Sequence, residues 1–144
     1  MLKGISPLIS PDLLFAMAKM GHGDRLVLAD ANFPAHSVGK DAFVIRQDGI
    51  LIPELLSEVL KLFLLDHLTS PCHVMQVSKG DVERGVQVPI WNVYREIIAA
   101  SGVNTDLVEY ERQEFYAESR KAFAIVLTGE TAVYGNLMLT KGVI

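Results

Sequence analysis

The sequence predicts an α/β domain, and three observations carry that reading. Short apolar runs of strand character alternate with longer segments of helical periodicity along the whole chain. The 144 residues match one domain of ordinary size and are enough to bury a core. No internal repeat, low-complexity tract or linker breaks the alternation, so residues 1–144 are expected to form a single domain.

Ser10-Pro11-Asp12 starts the first helix: serine caps, proline suits the first helical position, and the acid complements the positive helix end. The helix should cover about 11–20, with Leu13, Leu14, Met17 and Met20 at helical spacing and Gly21 ending it in a left-handed conformation. "RLVLAD" (25–30) reads as a buried strand closing at Asp30, and "AFVIR" (42–46) as a second. "PELLSEVLKLFLLDHL" (53–68) has an acidic first turn and leucines round much of its circumference, which predicts a deeply buried helix. "HVMQV" (73–77) follows the Ser70-Pro71 break as a strand. From Pro89 to Ala100, Ile90, Val93, Tyr94, Ile97 and Ile98 share one helical face, and Gly102 terminates the segment. "LVEYER" (107–112), "AFAIVLTGE" (122–130) and "YGNLMLTKG" (134–142) read as strands, with a helical turn around 114–121.

Composition excludes several classes of function. A formal charge of -4 with scattered basic residues leaves no footprint for nucleic acid. Apolar stretches such as "LFLLDHL" (62–68) carry a charge and fall short of the roughly 20 residues that span a bilayer. "MLKGISPLISPDLL" lacks the pattern of a secretory signal, and the lone Cys72 suits a reducing compartment, so a cytoplasmic protein is expected. Half the residues are hydrophobic, and a mean hydropathy of +0.29 predicts that other subunits cover part of the surface.

The candidate chemical groups are few. "GHGDRL" (21–26) follows a helix and lacks the full G-x-G-x-x-G pattern, so it is no dinucleotide fingerprint. His22, Asp24, Asp30 and His36 match no metal-ligand spacing, and Cys72 and His73, as consecutive strand residues, point to opposite faces. On spacing alone His22 reads equally as a loop histidine and as a working one whose glycine neighbours let a ligand approach. Asp30 ends a strand, where α/β sheets bind ligands, or else caps the next turn. Tyr134 and Asn136, two apart on a predicted strand around Gly135, read equally as an ordinary half-exposed edge strand and as a hydroxyl and an amide suited to a polyol, and Arg112 reads as a solvated charge before a ligand clamp.

Taken together, "MGHGD" (20–24), "DANFPAHS" (30–37), "KAFAIVLTGE" (121–130), "YGN" (134–136) and "KGV" (141–143) resemble the sugar mutarotase family that includes L-fucose mutarotase and D-ribose pyranase. "NFPAHS" and Arg112 resemble its fucose branch. The resemblance implies a three-layer α/β/α sandwich with a mixed β-sheet, assembled into ring-shaped homo-oligomers with sites near subunit interfaces. It also implies interconversion of monosaccharide anomers, L-fucose foremost with the pyranose and furanose forms of ribose as the alternative, without metal or redox cofactor. The family's catalytic histidine falls on His22, and its sugar-binding positions fall on Asp30, Arg112, Tyr134, Gly135 and Asn136. Residues 78–106 match least well and inherit no role.

Mutarotation moves only protons: one reaches the ring oxygen while another leaves the anomeric hydroxyl, and the opened aldehyde recloses on either face. An imidazole titrating near neutrality suits both directions, so His22 is expected to be the proton donor. Asp30 would either orient that imidazole or bind hydroxyls, Arg112 would fix hydroxyls with its fork of donors, and Tyr134 could transfer the second proton. The rival readings are a monosaccharide-binding or transport-accessory protein without turnover, and a metal-dependent enzyme using His22 and His36.

Overall fold

A computed structural model describes residues 2–144. In chain order the elements are α1 (Pro11–Lys19), β1 (Arg25–Ala29), α2 (Ala35–Val38), β2 (Phe43–Gln47), α3 (Ile52–Val59), β3 (Cys72–Met75), α4 (Lys79–Glu83), α5 (Ile90–Ala100), β4 (Val108–Tyr110), α6 (Arg112–Arg120), β5 (Ala124–Thr128) and β6 (Leu137–Thr140). The strands form one six-stranded sheet in the order β2-β5-β1-β6-β3-β4. β2, β5 and β1 pair in parallel, as do β3 and β4, whereas β6 is antiparallel to both β1 and β3. Five strands therefore share one direction, and their carboxyl ends lie together at one edge of the sheet.

Both faces of the four inner strands β5, β1, β6 and β3 are covered, which is why these read as apolar runs, whereas the edge strands β2 and β4 are partly exposed. Leu26 and Leu28 of β1, Ala124 and Val126 of β5, and Leu137 and Leu139 of β6 pack with Leu13 and Met17 of α1, Leu55 and Leu56 of α3, and Tyr94 and Ile98 of α5. The alternate strand residues Val27, Ala29, Ile125, Leu127 and Met138 build a second core with Phe33, Val38 and Phe115 on the α2/α6 side. The result is the expected α/β/α sandwich with a mixed sheet. Among the described residues no helix is long and apolar enough to cross a membrane.

Several boundaries differ from the sequence-based expectation. The helix predicted over 53–68 ends at Val59. Beyond it Phe63 and Leu65 are buried while Leu62 and Leu64 are exposed, and Leu65 bridges to Lys141 beside β6. An all-leucine stretch satisfies both periods, so periodicity could not reveal that change. α1 ends at Lys19 with Met20 extended, and Gly21 does not adopt the left-handed conformation expected of it. Arg112 opens α6 rather than ending a strand, because Glu111 caps that helix by accepting the Gln113 amide at 2.8 Å. β6 begins only at Leu137, which leaves Tyr134 and Asn136 in the preceding turn instead of on one strand face.

Candidate active site

His22 sits in a tight turn between α1 and β1. The Asp24 amide donates to the Gly21 carbonyl at 3.2 Å, and the Gly21 amide donates to Asp24 Oδ2 at 2.7 Å. Gly23 has φ +84, the left-handed value the third residue of such a turn requires, and its amide donates to the Lys141 carbonyl at 2.9 Å. Of the two flanking glycines, the geometry demands only Gly23.

Turn and sheet together present the imidazole, 44% exposed, to the buried carboxylate of Asp66: His22 Nε2 lies 3.2 Å from Asp66 Oδ1. Asp66 is itself held in place. Its Oδ2 accepts the Thr69 hydroxyl at 2.6 Å, its Oδ1 accepts the Leu68 amide at 3.2 Å, and its own amide donates to the Thr140 carbonyl at 3.0 Å. The Thr69 hydroxyl above all, then the Leu68 amide and His22, hold the Asp66 carboxyl down at about 2 against the opposing effect of burial. Asp66 is a site residue that sequence reasoning missed, because it lay within the supposed long helix.

Asp30 does not hold the imidazole. It leaves the carboxyl end of β1, at the opposite edge of the sheet from His22, and the strand between them spans roughly 20 Å at about 3.3 Å per residue. Asn136 Nδ2 donates to Asp30 Oδ2 at 2.7 Å, the Asp30 amide donates to Asn136 Oδ1 at 2.8 Å, and Asp30 Oδ1 accepts the Asn32 amide at 2.8 Å. The carboxylate is thus both a turn cap and one half of a reciprocal pair with Asn136, with lone pairs left over to accept further hydrogen bonds.

Tyr134 takes a left-handed φ of +54, a strained value for a tyrosine that clusters at functional sites. The turn around it over-determines that conformation. Glu130 Oε1 accepts the Thr131 and Ala132 amides at 3.0 and 2.9 Å, Trp91 Nε1 donates to the Tyr134 carbonyl at 2.9 Å, and the Tyr94 hydroxyl donates to the Gly135 carbonyl at 2.6 Å. A Cβ on Gly135 would stand 2.9 Å from the Ala132 carbonyl oxygen, so only glycine fits there. Burial, with smaller contributions from Glu130 and Asp30, raises the Tyr94 phenol and keeps it a donor. Trp91 and Tyr94 lie in the segment to which the resemblance gave no role, and in sequence they read only as helix residues.

The side chain of Tyr134 reaches α4. Its oxygen accepts the Ser78 amide at 3.1 Å and its hydroxyl donates to Asp81, whose carboxyl is held below the usual range by that hydroxyl first and Arg84 second. Between α4 and the start of α6 lies a cavity of about 600 Å³, lined among others by Ser78, Lys79, Val82, Glu111, Arg112 and Tyr134. That volume falls in the usual range for a small-molecule site. Arg112 lies 5.9 Å from the Tyr116 ring centroid and, among the described residues, has no carboxylate within salt-bridge distance, so its donors are free for a ligand.

One chain therefore joins Arg112 and Tyr134 in a cavity and places the Asp30–Asn136 pair at the same sheet edge, while His22 stands at the other edge. His36 lies exposed on α2, and Asp24 serves the turn around His22. Cys72 and His73 are both buried and belong to opposite faces of β3; burial pushes the Cys72 thiol up to about 12. Among the described residues no group of three or more His, Cys, Asp or Glu side chains could hold a metal ion.

Fold and site define a three-layer α/β protein with an imidazole–carboxylate pair at one edge of a mixed sheet and a cluster of hydrogen-bonding groups at the other. The chain belongs to the RbsD / FucU transport protein family, whose model matches residues 3–144. It is 52% identical over 145 residues to the fucose mutarotase of Homo sapiens, covering 99% of this chain and 94% of that protein. It is 51% identical to the Danio rerio fucose mutarotase over 144 residues, again covering 99% and 94%. Among solved structures it is similar to the fucose mutarotase from Streptococcus pneumoniae in complex with L-fucose, with TM-score 0.92, 45% identity and 99% of each chain covered. The Bacillus subtilis RbsD complexed with D-ribose shares the fold, with TM-score 0.73, 19% identity and 100% and 99% coverage.

Proposed function

We propose that this protein is a mutarotase that interconverts the α and β anomers of L-fucose in the cytoplasm. The observation that carries the reading is the pairing of a carboxylate-held imidazole with a cavity holding an unpaired guanidinium and a buttressed tyrosine, on a chain about half identical to fucose mutarotases.

His22 gives a proton to the ring oxygen. The anomeric hydroxyl loses its proton to Tyr134, whose own proton passes to Asp81 along their existing hydrogen bond. The C1–O5 bond then breaks to give the open-chain aldehyde. Rotation about C1–C2 and reversal of the same transfers closes the ring on the other face, so every proton is returned. Arg112 donates to sugar hydroxyls, and Asp30, oriented by Asn136, accepts from them. Gly135 lets the backbone approach closely.

Because His22 and the sugar-binding groups occupy opposite sheet edges of one chain, the reading requires a second copy: His22 of one subunit meets the cavity of its neighbour in a homo-oligomer. The hydrophobic half of the composition supports such an assembly, and Phe15 and Phe43, both large and exposed, stack edge to face at 6.0 Å on the surface.

The experiment is NMR saturation transfer between the anomeric protons of L-fucose with catalytic amounts of protein, repeated with D-ribose and D-galactose. Acceleration of L-fucose exchange above the uncatalysed rate is expected. Calorimetric binding of L-fucose without acceleration would replace the enzyme by a sugar-binding protein.

A further inference from the structure

Asp66 is the one nearly fully buried carboxylate that contacts the candidate proton donor. It is 3% exposed, fixed by Thr69 and by the Leu68 amide, and 3.2 Å from His22 Nε2. We infer that Asp66 is the positioning residue of the reaction: it holds the Nε2–H of His22, so that Nδ1 is the atom that exchanges protons with the sugar. The inference rests on the mutarotase reading and adds which face of the imidazole works.

The hydrogen-bond inventory fixes the direction. Oδ1 already accepts the Leu68 amide, and Oδ2 already accepts the Thr69 hydroxyl at 2.6 Å. A carboxylate held ionised by an N–H on one oxygen and an O–H on the other has no proton to give, so the ring nitrogen 3.2 Å from Oδ1 is the donor. With Nε2–H committed to a carboxylate, the neutral ring presents a lone pair at Nδ1, and the charged ring presents a second proton there. The sugar therefore meets Nδ1 in both protonation states. A buried carboxylate behind an imidazole also stabilises the positive charge that forms when Nδ1 takes the proton back.

The fold provides for this arrangement. Asp66 is anchored to the end of β6 through its own amide, and the turn bearing His22 is anchored to Lys141 in the same strand extension. Imidazole and carboxylate thus ride on one piece of sheet.

The test combines nitrogen NMR of the His22 ring with kinetics. In the wild-type protein the neutral ring should show protonated Nε2 and bare Nδ1, and saturating L-fucose should shift Nδ1 while Nε2–H persists. Asp66→Asn keeps an acceptor oxygen towards Leu68 and His22 but removes the charge; kcat should fall about tenfold or more with KM within about twofold. Thr69→Val removes the hydroxyl that fixes Oδ2 and should lower kcat in the same direction, by less than Asp66→Asn does. A protonated Nδ1 in the neutral wild-type ring, or a folded Asp66→Asn protein whose kcat stays within about twofold of the wild-type value, would overturn the inference. Absence of exchange activity in the wild-type protein would instead overturn the mutarotase reading, and the NMR measurement would still report the tautomer.

Discussion

Tyr94→Phe removes one oxygen atom from a fully buried side chain, and its consequences can be worked from the structure. The hydroxyl donates to the Gly135 carbonyl at 2.6 Å, and both residues are buried. Phenylalanine fills the same space, so no cavity opens; the cost is the stranded carbonyl, about 1–3 kcal/mol for a buried acceptor left unpaired. In a chain of 144 residues each kcal/mol moves Tm by roughly 2–4 °C. The lost bond also releases one of the two α5 anchors on the strained Tyr134-Gly135 turn; Trp91 to the Tyr134 carbonyl is the other. Chemical denaturation should show the full stability loss, and L-fucose exchange should fall several-fold as Tyr134 loses its fixed position. A variant with unchanged unfolding midpoint and unchanged exchange rate would refute the claim that α5 holds the catalytic turn.

Other consequences follow from the same geometry. Arg112→Ala should raise KM for L-fucose about tenfold or more while stability stays within about 0.5 kcal/mol, since the guanidinium makes no ion pair among the described residues, as thermal unfolding and exchange kinetics would show. Burial first, and Arg25 second, push the His73 imidazole down to about 4, and among the described residues its Nδ1 has no partner. Its folded value lies below the unfolded one, so the associated stability is complete above about pH 6.5 and is lost as pH falls towards 4, by up to about 3 kcal/mol. Denaturation measured across that range should show the slope, and His73→Phe, which retains the stack on Tyr110, should flatten it. The Asp66 carboxyl, held at about 2, adds stability that is present above about pH 4 and lost as pH falls through 2; Asp66→Asn should remove that part of the acid transition. Cys72, buried with its thiol raised to about 12, should resist thiol reagents until the protein unfolds, as a labelling time course would reveal.

The sheet was legible because its inner strands are buried on both faces and its helices on one, so the alternation of runs carried the architecture. Ser10 and Gly102 marked helix ends correctly, since capping and left-handed glycine are local chemistry. What escaped was long-range. Leu60 to Leu68 leaves the helix because Leu65 finds Lys141 and Asp66 finds Thr140, partners about 75 positions away in sequence. Asp66 was hidden for the same reason. Tyr134 and Asn136 were named as site residues, yet the argument for them, a shared strand face, fails; they belong to a turn whose shape depends on Glu130, Trp91 and Tyr94. Asp30 was recognised as a turn cap or a ligand group; the Asn32 amide on its Oδ1 makes it the first, and the lone pairs left beside its pair with Asn136 remain available for the second.

The central claim is that His22 of one subunit completes the sugar site of another. It is tested most directly by mixing His22→Ala protein with Arg112→Ala protein, after dissociation and reassembly, and measuring L-fucose anomer exchange. Each variant alone should be impaired, His22→Ala by about 10²–10⁴. With L-fucose well below KM, the raised KM of Arg112→Ala lowers its rate about tenfold. Under that condition about one interface in four of an equal mixture should join an intact His22 to an intact Arg112, so exchange should rise to about a quarter of the wild-type rate. Exchange that stays at the average of the two separate variants would contradict a site shared between subunits.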